Sequence, residues 1–290
     1  MKKTLAIVTA LVLCTQAFAQ APKENVLFKH WSVGAGIGLP LDGLNIQVAT
    51  TILPNLQGRI LYTDFSPVVS IADPIVQRMA GFGIKPFQYT ITDINYHDKG
   101  LNIDEADLEG TVQQRDLSLL VDFFPGNGGF HLTGGVMFSM TPKLVTATGT
   151  PKSTNGKPVF EDESDKGGTE FYGISTDKEG KVHAAVQYGT GVKPYLGIGF
   201  GRPVSLKHRV GVNFDMGVAY IGGVHVMSKT YYKNPDGKDV ELNKAWIDSN
   251  PDLKDNIPAD TYKQVEKWLP FANSFPVLPY LRFTINVRLF

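Results

Sequence analysis

Apolar and polar residues alternate with period two through much of this chain, and the alternation predicts eight strands. Trp31, Val33, Ala35, Ile37 and Leu39 alternate with Ser32, Gly34, Gly36 and Gly38 in the first. After a turn at Pro40 to Gly43, Leu44, Ile46, Val48, Thr50 and Ile52 alternate with Asn45, Gln47, Ala49 and Thr51. The turn Leu53-Pro54-Asn55-Leu56 leads into a third strand, Gln57 to Phe65, with poorer alternation. In the fourth, Leu117, Leu119, Val121 and Phe123 oppose Asp116, Ser118, Leu120 and Asp122. Pro125-Gly126-Asn127-Gly128-Gly129 is a hairpin signal, and Phe130, Leu132, Val136, Phe138 and Met140 mark one face of the fifth.

The sixth strand alternates Pro194, Leu196, Ile198 and Phe200 with Tyr195, Gly197, Gly199 and Gly201. A short turn at Arg202 to His208 leads to the seventh, where Val210, Val212, Phe214, Met216, Val218 and Tyr220 alternate with Gly211, Asn213, Asp215, Gly217 and Ala219. The eighth runs to the last residue: Leu281, Phe283, Ile285, Val287 and Leu289 on one face, Arg282, Thr284, Asn286 and Arg288 on the other. Strands of this length, about ten residues, match the span of an outer-membrane barrel strand.

Connection lengths sort by parity. With both termini periplasmic, the connections after strands two, four and six lie on the periplasmic side, and all are short. Of the others, the first is short, and the segments near Ser66–Gly110, Pro142–Gly191 and Ser228–Phe275 are long. Even strand number, short inner turns and long outer loops are the bacterial outer-membrane pattern, whereas a β-sandwich has no reason to segregate loops by parity. An open sheet edge would leave backbone groups unpaired in lipid, so the eighth strand is expected to close against the first. The expected fold class is therefore all-β, an eight-stranded antiparallel transmembrane barrel with three long extracellular loops.

The amino terminus fits export. Lys2 and Lys3 precede an apolar run from Leu5 to Leu13, and Ala17-Phe18-Ala19 reads as a cleavage site before Gln20. The expected division is a signal peptide over 1–19 and a barrel domain over 20–290, in the outer membrane of a Gram-negative bacterium. Cys14 is the one cysteine, and the bulky Leu13 before it argues against lipidation. Without residues 1–19 the chain has no cysteine, hence no disulfide or thiolate chemistry. It then carries 26 basic and 28 acidic residues, which gives no pull toward nucleic acid. The 30 Gly, and the 17 Phe and 11 Tyr, suit a barrel greasy outside and polar inside, as they would a secreted sandwich. Trp31, Tyr62, Phe65, Phe123, Phe124, Tyr220 and Tyr280 lie near strand ends and fit interfacial girdles.

The inward phase carries Asp116, Asp122, His131, Lys193, Asp215, Arg282 and Arg288. In a low-dielectric lumen such charges are expected to be paired or hydrated. Asp122 and His131 flank one hairpin turn and are expected to be near cross-strand neighbours. Arg282, Arg288 and Lys193 would form a cationic side of the lumen, and Asp116, Asp122 and Asp215 an anionic side. The glycine triplets Gly34-x-Gly36-x-Gly38 and Gly197-x-Gly199-x-Gly201 lack the spacing of a dinucleotide loop, and inward glycine makes room for bulky polar neighbours.

His30-x-Ser32 and His131-x-Thr133 are the His-x-hydroxyl arrangements on strands, but they face inward at the rim, and no catalytic residue is assigned. Asp248-x-Asn250-x-Asp252 lacks the Gly and Glu of a calcium loop, so no metal or cofactor is expected. Thr146 to Gly180 reads as a solvated hairpin or a mobile loop. Tyr262, Val265, Trp268 and Leu269 share one helical face, which suits either a short surface helix or a loop packed on itself.

Two stretches carry a family resemblance. Leu117-Ser-Leu-Leu-Val-Asp-Phe-Phe-Pro125 with Gly129-Phe-His-Leu-Thr-Gly-Gly-Val136 is one, and Lys193-Pro-Tyr-Leu-Gly-Ile-Gly-Phe-Gly201 with Arg209-Val-Gly-Val-Asn-Phe-Asp-Met-Gly-Val218 the other. Together they resemble small outer-membrane barrels of the carbapenem-associated, ornithine-uptake porin type. The resemblance implies an eight-stranded monomeric barrel that admits small solutes, basic amino acids among them. The chain departs from that pattern in its long loops and in Arg288, Asn286 and Thr284 in phase with the terminal Phe. The expected function is porin-like passive passage of small polar solutes, and the alternative is a non-conducting barrel whose loops are the functional surface. Expected partners are outer-membrane lipids and the barrel-assembly machinery, with no nucleic acid.

Overall fold

The computed structural model describes residues 27–70, 87–92, 96–98, 101–126, 128–152, 170–171, 174–231, 236–249 and 276–290. The proposed signal sequence, the Tyr262–Leu269 segment and most of the Asp248–Asp252 motif lie outside the described residues.

In chain order the first strands are β1 (Trp31–Leu39), β2 (Gly43–Leu53) and β3 (Leu56–Asp64). Then come β4 (Phe87–Ile91), β5 (Tyr96–Asp98), β6 (Leu101–Ile103), β7 (Glu105–Val112) and β8 (Arg115–Phe123). They are followed by β9 (His131–Ser139), β10 (Lys143–Lys152), β11 (Glu170–Phe171), β12 (Ile174–Ser175) and β13 (Val182–Tyr188). The last are β14 (Val192–Gly201), β15 (Val210–Tyr220), β16 (Val224–Thr230), β17 (Lys238–Glu241) and β18 (Val277–Arg288).

Eight of these close into one antiparallel barrel, in the order β1-β2-β3-β8-β9-β14-β15-β18 and back to β1. The eight predicted strands are these eight, with ends that agree to within about two residues. β18 pairs with β1 from Ser32 opposite Arg288 to Leu39 opposite Leu281, so neither strand is left as an open edge. The pleat sorts side chains by phase. On β18, Tyr280, Arg282, Thr284 and Asn286 are each 1% exposed, while Leu281, Phe283 and Ile285 are 44–50% exposed. The same alternation around the wall produces an outer belt of exposed apolar residues that includes Ile46, Ile60, Leu196, Phe200 and Val212.

Inside, an apolar layer of Leu61, Leu120, Met137, Tyr195, Ala219 and Tyr280 spans the lumen. Tyr195 and Tyr280 meet edge to face with ring centroids 6.4 Å apart. Inward glycine serves the purpose expected of it: a Cβ on Gly199 would lie 2.3 Å from Nε2 of His131. Gly201 ends β14 at φ +91°, and a Cβ there would lie 1.9 Å from the Val212 carbonyl oxygen. Two aromatic residues assigned to the girdles belong to the interior instead: Phe124 and Tyr280 are both 1% exposed.

The long connections do not form loops alone. A six-stranded antiparallel sheet, ordered β17-β16-β13-β10-β7-β4, is built from all three of them. Its middle strands prolong the adjacent barrel strands β15, β14, β9 and β8 after short breaks at 221–223, 189–191, 140–142 and 113–114. Bonds from Gln113 N to Leu144 O (2.9 Å) and from Met140 N to Arg115 O (2.8 Å) carry the ladder across two of these breaks. One half of the barrel wall therefore continues beyond the rim as a sheet. Of the Thr146 to Gly180 segment, read as a solvated hairpin or mobile loop, residues 146–152 belong to β10, a central sheet strand that pairs antiparallel with β13, Thr146 opposite Ala185 and Thr148 opposite His183. Alternation there is masked by small residues such as Ala147, Gly149, Ala184 and Ala185, so polarity alone misleads.

Gly201→Ala is expected to destabilise the folded barrel by about 1–3 kcal/mol, because an L side chain is strained at that φ. Gly134→Ala, where a Cβ meets nothing within 4 Å, is the control and should be nearly neutral. Urea titration of the folded band in detergent, read on unheated gels, measures both.

Candidate functional site

The lumen is filled by ionic groups paired with one another in two tiers, with Arg59 Nε, Asp122 Oδ2, Arg282 Nη1 and Tyr195 Oη left without a hydrogen-bond partner. Toward the short-turn end, Arg59 on β3 donates from Nη1 to Asp215 Oδ2 and from Nη2 to Asp215 Oδ1, each at 2.8 Å. Its Nη2 also reaches Asp122 Oδ1 at 3.0 Å. His131 Nε2 lies 2.8 Å from Asp215 Oδ1, and Nδ1 lies 3.1 Å from the Gly129 carbonyl. Two carboxylates thus face one guanidinium and one imidazole. Thr133 donates to Asp122 at 2.7 Å. Gln47, Asn213 and Asn286 extend the network, with Gln47 Nε2 to Asn286 Oδ1 and Asn286 Nδ2 to Asn213 Oδ1 both at 2.6 Å.

Toward the sheet end, Lys193 Nζ donates to both oxygens of Asp116 at 2.8 Å. Gln114 and Ser139 also donate to Asp116, at 2.8 and 3.0 Å, and Tyr188 donates to Gln114 at 2.8 Å. Arg282 pairs with Asp42 from the β1–β2 turn and stacks between Tyr195 and Tyr280, about 5 Å from each ring centroid. The Arg282 guanidinium thus lies within the apolar layer, against Met137, Tyr195 and Tyr280.

The short-turn mouth is closed by its own chain. The turn between β14 and β15 folds inward, so that Val204 is fully buried. Its N–H and C=O bond the side chain of Gln57, each at 2.9 Å, and Ser32 donates to the Pro203 carbonyl at 2.6 Å. Arg202 lies over the Phe124 ring, 4.1 Å from its centroid, and donates to the Gly128 carbonyl at 3.1 Å.

Of the residues expected to line the lumen, Asp116, Asp122, His131, Lys193, Asp215 and Arg282 do so, each at most 1% exposed. Arg288 does not join them. It sits at the short-turn rim and donates to the carbonyls of Ser205 and Leu206. The expected cationic and anionic sides do not form, because Lys193 and Arg282 each sit against a carboxylate and Arg288 lies at the rim. Asp122 and His131 are 4.0 Å apart, but the closer partner of His131 is Asp215. Asp122, His131 and Asp215 offer three ligand atoms within 4.8 Å, a possible metal grouping. The Arg59 guanidinium already bonds both carboxylates and occupies the cation's position.

Two ion partners escape the sequence. Arg59 lies in the inward phase between Gln57 and Leu61, and the outward Ile60 and Tyr62 could have assigned it. Asp42 belongs to a turn, where an acid reads as solvated, and no local signal sends it into the barrel.

No family model matches the chain, and no curated protein matches it. Solved structures similar to it include Acinetobacter baumannii CarO, at 13% identity and TM-score 0.36, covering 91% of this chain and 99% of that one. Acinetobacter baumannii CarO2 aligns at 14% identity and TM-score 0.37, over 89% and 99% of the two chains. A major outer membrane protein from Thermus thermophilus aligns at 13% identity and TM-score 0.36, over 90% and 98%. What the chain can do is set by its own geometry.

The extended sheet carries a cleft of about 240 Å³ lined by Lys143, Thr148, His183, Met227, Lys229 and Tyr231. Asp177 orients His183 through a 2.6 Å contact to Nε2. Burial raises the affinity of the Asp177 carboxyl for its proton. The bonds from His183 and from the N–H groups of Lys181 and Glu179, both at 2.9 Å, outweigh it and hold the group below the usual carboxylate range.

Arg59→Ala strands two buried carboxylates and should cost about 3–5 kcal/mol in urea unfolding, the scale for breaking a buried pair. Asp177→Asn should speed amide exchange at residues 179–183. Because the folded pKa lies below the unfolded one, the stabilisation is present above about pH 4 and is lost as pH falls below it. The difference between Asp177→Asn and wild type should accordingly vanish in acid.

Proposed function

We propose that the chain is an outer-membrane β-barrel, sealed along its lumen, that anchors a six-stranded sheet outside the membrane. The outer belt supports membrane placement. Leu196 is 68% exposed, Ile46 62% and Ile60 and Phe200 53%, a continuous apolar surface costly in water and satisfied in lipid. The barrel strands, of 9 to 12 residues, have the reach of tilted strands across a bilayer. The sheet then belongs outside the cell and the short turns in the periplasm.

The observation that carries the sealed state is the neutralised interior. Asp42, Arg59, Asp116, Asp122, His131, Lys193, Asp215 and Arg282 are each 3% exposed or less, and all are engaged with another lumen side chain. A water-filled pore hydrates its charges, whereas here most of the charged atoms meet protein partners, with Arg59 Nε, Asp122 Oδ2 and Arg282 Nη1 the exceptions. Porin-like passage of a solute would require both tiers to separate and the inward turn at Val204 to withdraw. This favours the non-conducting barrel over the small channel, with its outer sheet as the functional surface.

Single-channel recording on the refolded full chain tests the proposal. Expected is a heat-modifiable folded band with no steady conductance. A reproducible wild-type conductance would overturn the sealed lumen and favour solute passage.

A further inference from the structure

We infer that the short-turn rim holds anionic phospholipid headgroups, through Lys207, Arg209 and Arg288. The inference rests on the membrane placement proposed above. The formal charge of the whole chain is zero, yet charge is segregated along the barrel axis. Among the described residues 27–31, 53–57, 123–126, 128–130, 201–210 and 287–290, which form this end, are Lys29, Arg202, Lys207, Arg209 and Arg288. The same segments hold no Asp or Glu.

The arrangement is unfavourable as it stands. Arg288 N donates to Arg209 O at 2.7 Å, next to the Val210–Val287 pair, which places the two arginines opposite each other across the β15–β18 ladder. Like charges directly opposite on neighbouring strands repel. The Arg288 guanidinium meets carbonyls only, at 3.1 Å (Ser205) and 2.9 Å (Leu206). Neither arginine, nor Lys207, has an ion pair with an acidic side chain among the described residues, and Lys207 and Arg209 are exposed. An external anion would relieve this repulsion.

Position selects the kind of anion. In the chain these cations adjoin the end of the apolar belt: Leu206 (41% exposed) precedes Lys207, Val210 (58%) follows Arg209, and Leu289 and Phe290 (52% and 67%) follow Arg288. An apolar belt bordered by cations matches a lipid, acyl chains against the belt and phosphate against the rim. A soluble anion would meet the charges but not the belt. A cation near an anionic membrane surface contributes about a fivefold preference.

Trp31 reports from this rim, its ring 6.2 Å from that of Phe28 and its indole N–H bonded to the Phe28 carbonyl. Trp246→Phe with Trp268→Phe leaves it the sole tryptophan of the three. The full chain is reconstituted with brominated phosphatidylglycerol or brominated phosphatidylcholine, and quenching of Trp31 gives their relative binding constant. Expected is a preference for phosphatidylglycerol of about fivefold or more at low salt, the effect of one or more interfacial cations. It should fall toward parity in high salt and in the K207Q/R209Q variant, whose folded band should persist. Parity in the parent protein at low salt, or an undiminished preference in K207Q/R209Q, would overturn the inference. Quenching by neither lipid, with the folded band present, would instead remove the membrane placement on which it rests.

Discussion

Neutralisation of charge inside a narrow closed wall is the constraint on which the rest of this structure depends. Eight strands enclose only enough space for side chains, so whatever faces inward must pack against what faces it. Removing a carboxylate or guanidinium from water costs several kcal/mol unless partners replace the lost hydration. The chain meets that demand by placing cation and anion on different strands. Arg59 on β3 joins Asp122 on β8 and Asp215 on β15, and Lys193 on β14 joins Asp116 on β8. The Arg59–Asp215 and Lys193–Asp116 pairs tie non-adjacent strands together, and a one-residue register slip would turn one partner outward. The ionic tiers thereby specify register as well as filling space.

The sheet beyond the rim follows from the same wall. Once β8, β9, β14 and β15 are held in register by their inward pairs, their extensions leave the barrel already adjacent and already antiparallel. Little further ordering is needed for β7, β10, β13 and β16 to continue pairing. The breaks at the rim are where the lining changes. Tyr188, Gln114 and Ile221 turn in over the mouth there, and the strands resume above them with mixed polar and small residues. Position within one sheet thus separates a lower region lined by buried ion pairs from a surface that carries a cleft.

Much of this was legible in the sequence because a barrel strand writes its two faces into the chain. Phase alone placed Asp116, Asp122, His131, Lys193, Asp215 and Arg282 in the lumen, and the turns fixed which strands are neighbours. Phase cannot tell how far a long side chain reaches across the lumen. His131 was expected beside Asp122 by hairpin proximity, yet it bonds Asp215 two strands away, across Gly199 of the intervening β14, which has no side chain to separate them. Arg288 had the correct phase but sits past the end of the enclosed region, so it caps carbonyls at the rim. Val204 and Asp42 sit in turns, where sequence signals report chain reversal and not the direction in which the turn folds. The extended sheet was lost because Ala, Gly and Thr blur the alternation that reveals the barrel.

These constraints also bear on what an opening would involve. A solute entering from the sheet end would first meet Asp116, already bonded by Lys193, Gln114 and Ser139, and could displace them only by offering equivalent donors. Past the apolar layer it would meet Asp215, held by both nitrogens of a bidentate guanidinium and by His131. Bidentate pairing fixes geometry as well as charge, so the second tier resists a substitute more strongly than a lone ammonium would. Behind it the Val204 turn is bonded through its backbone to Gln57, which gives the mouth a closure independent of either ion tier. Three barriers in series support the shut barrel proposed above more than one poised to open.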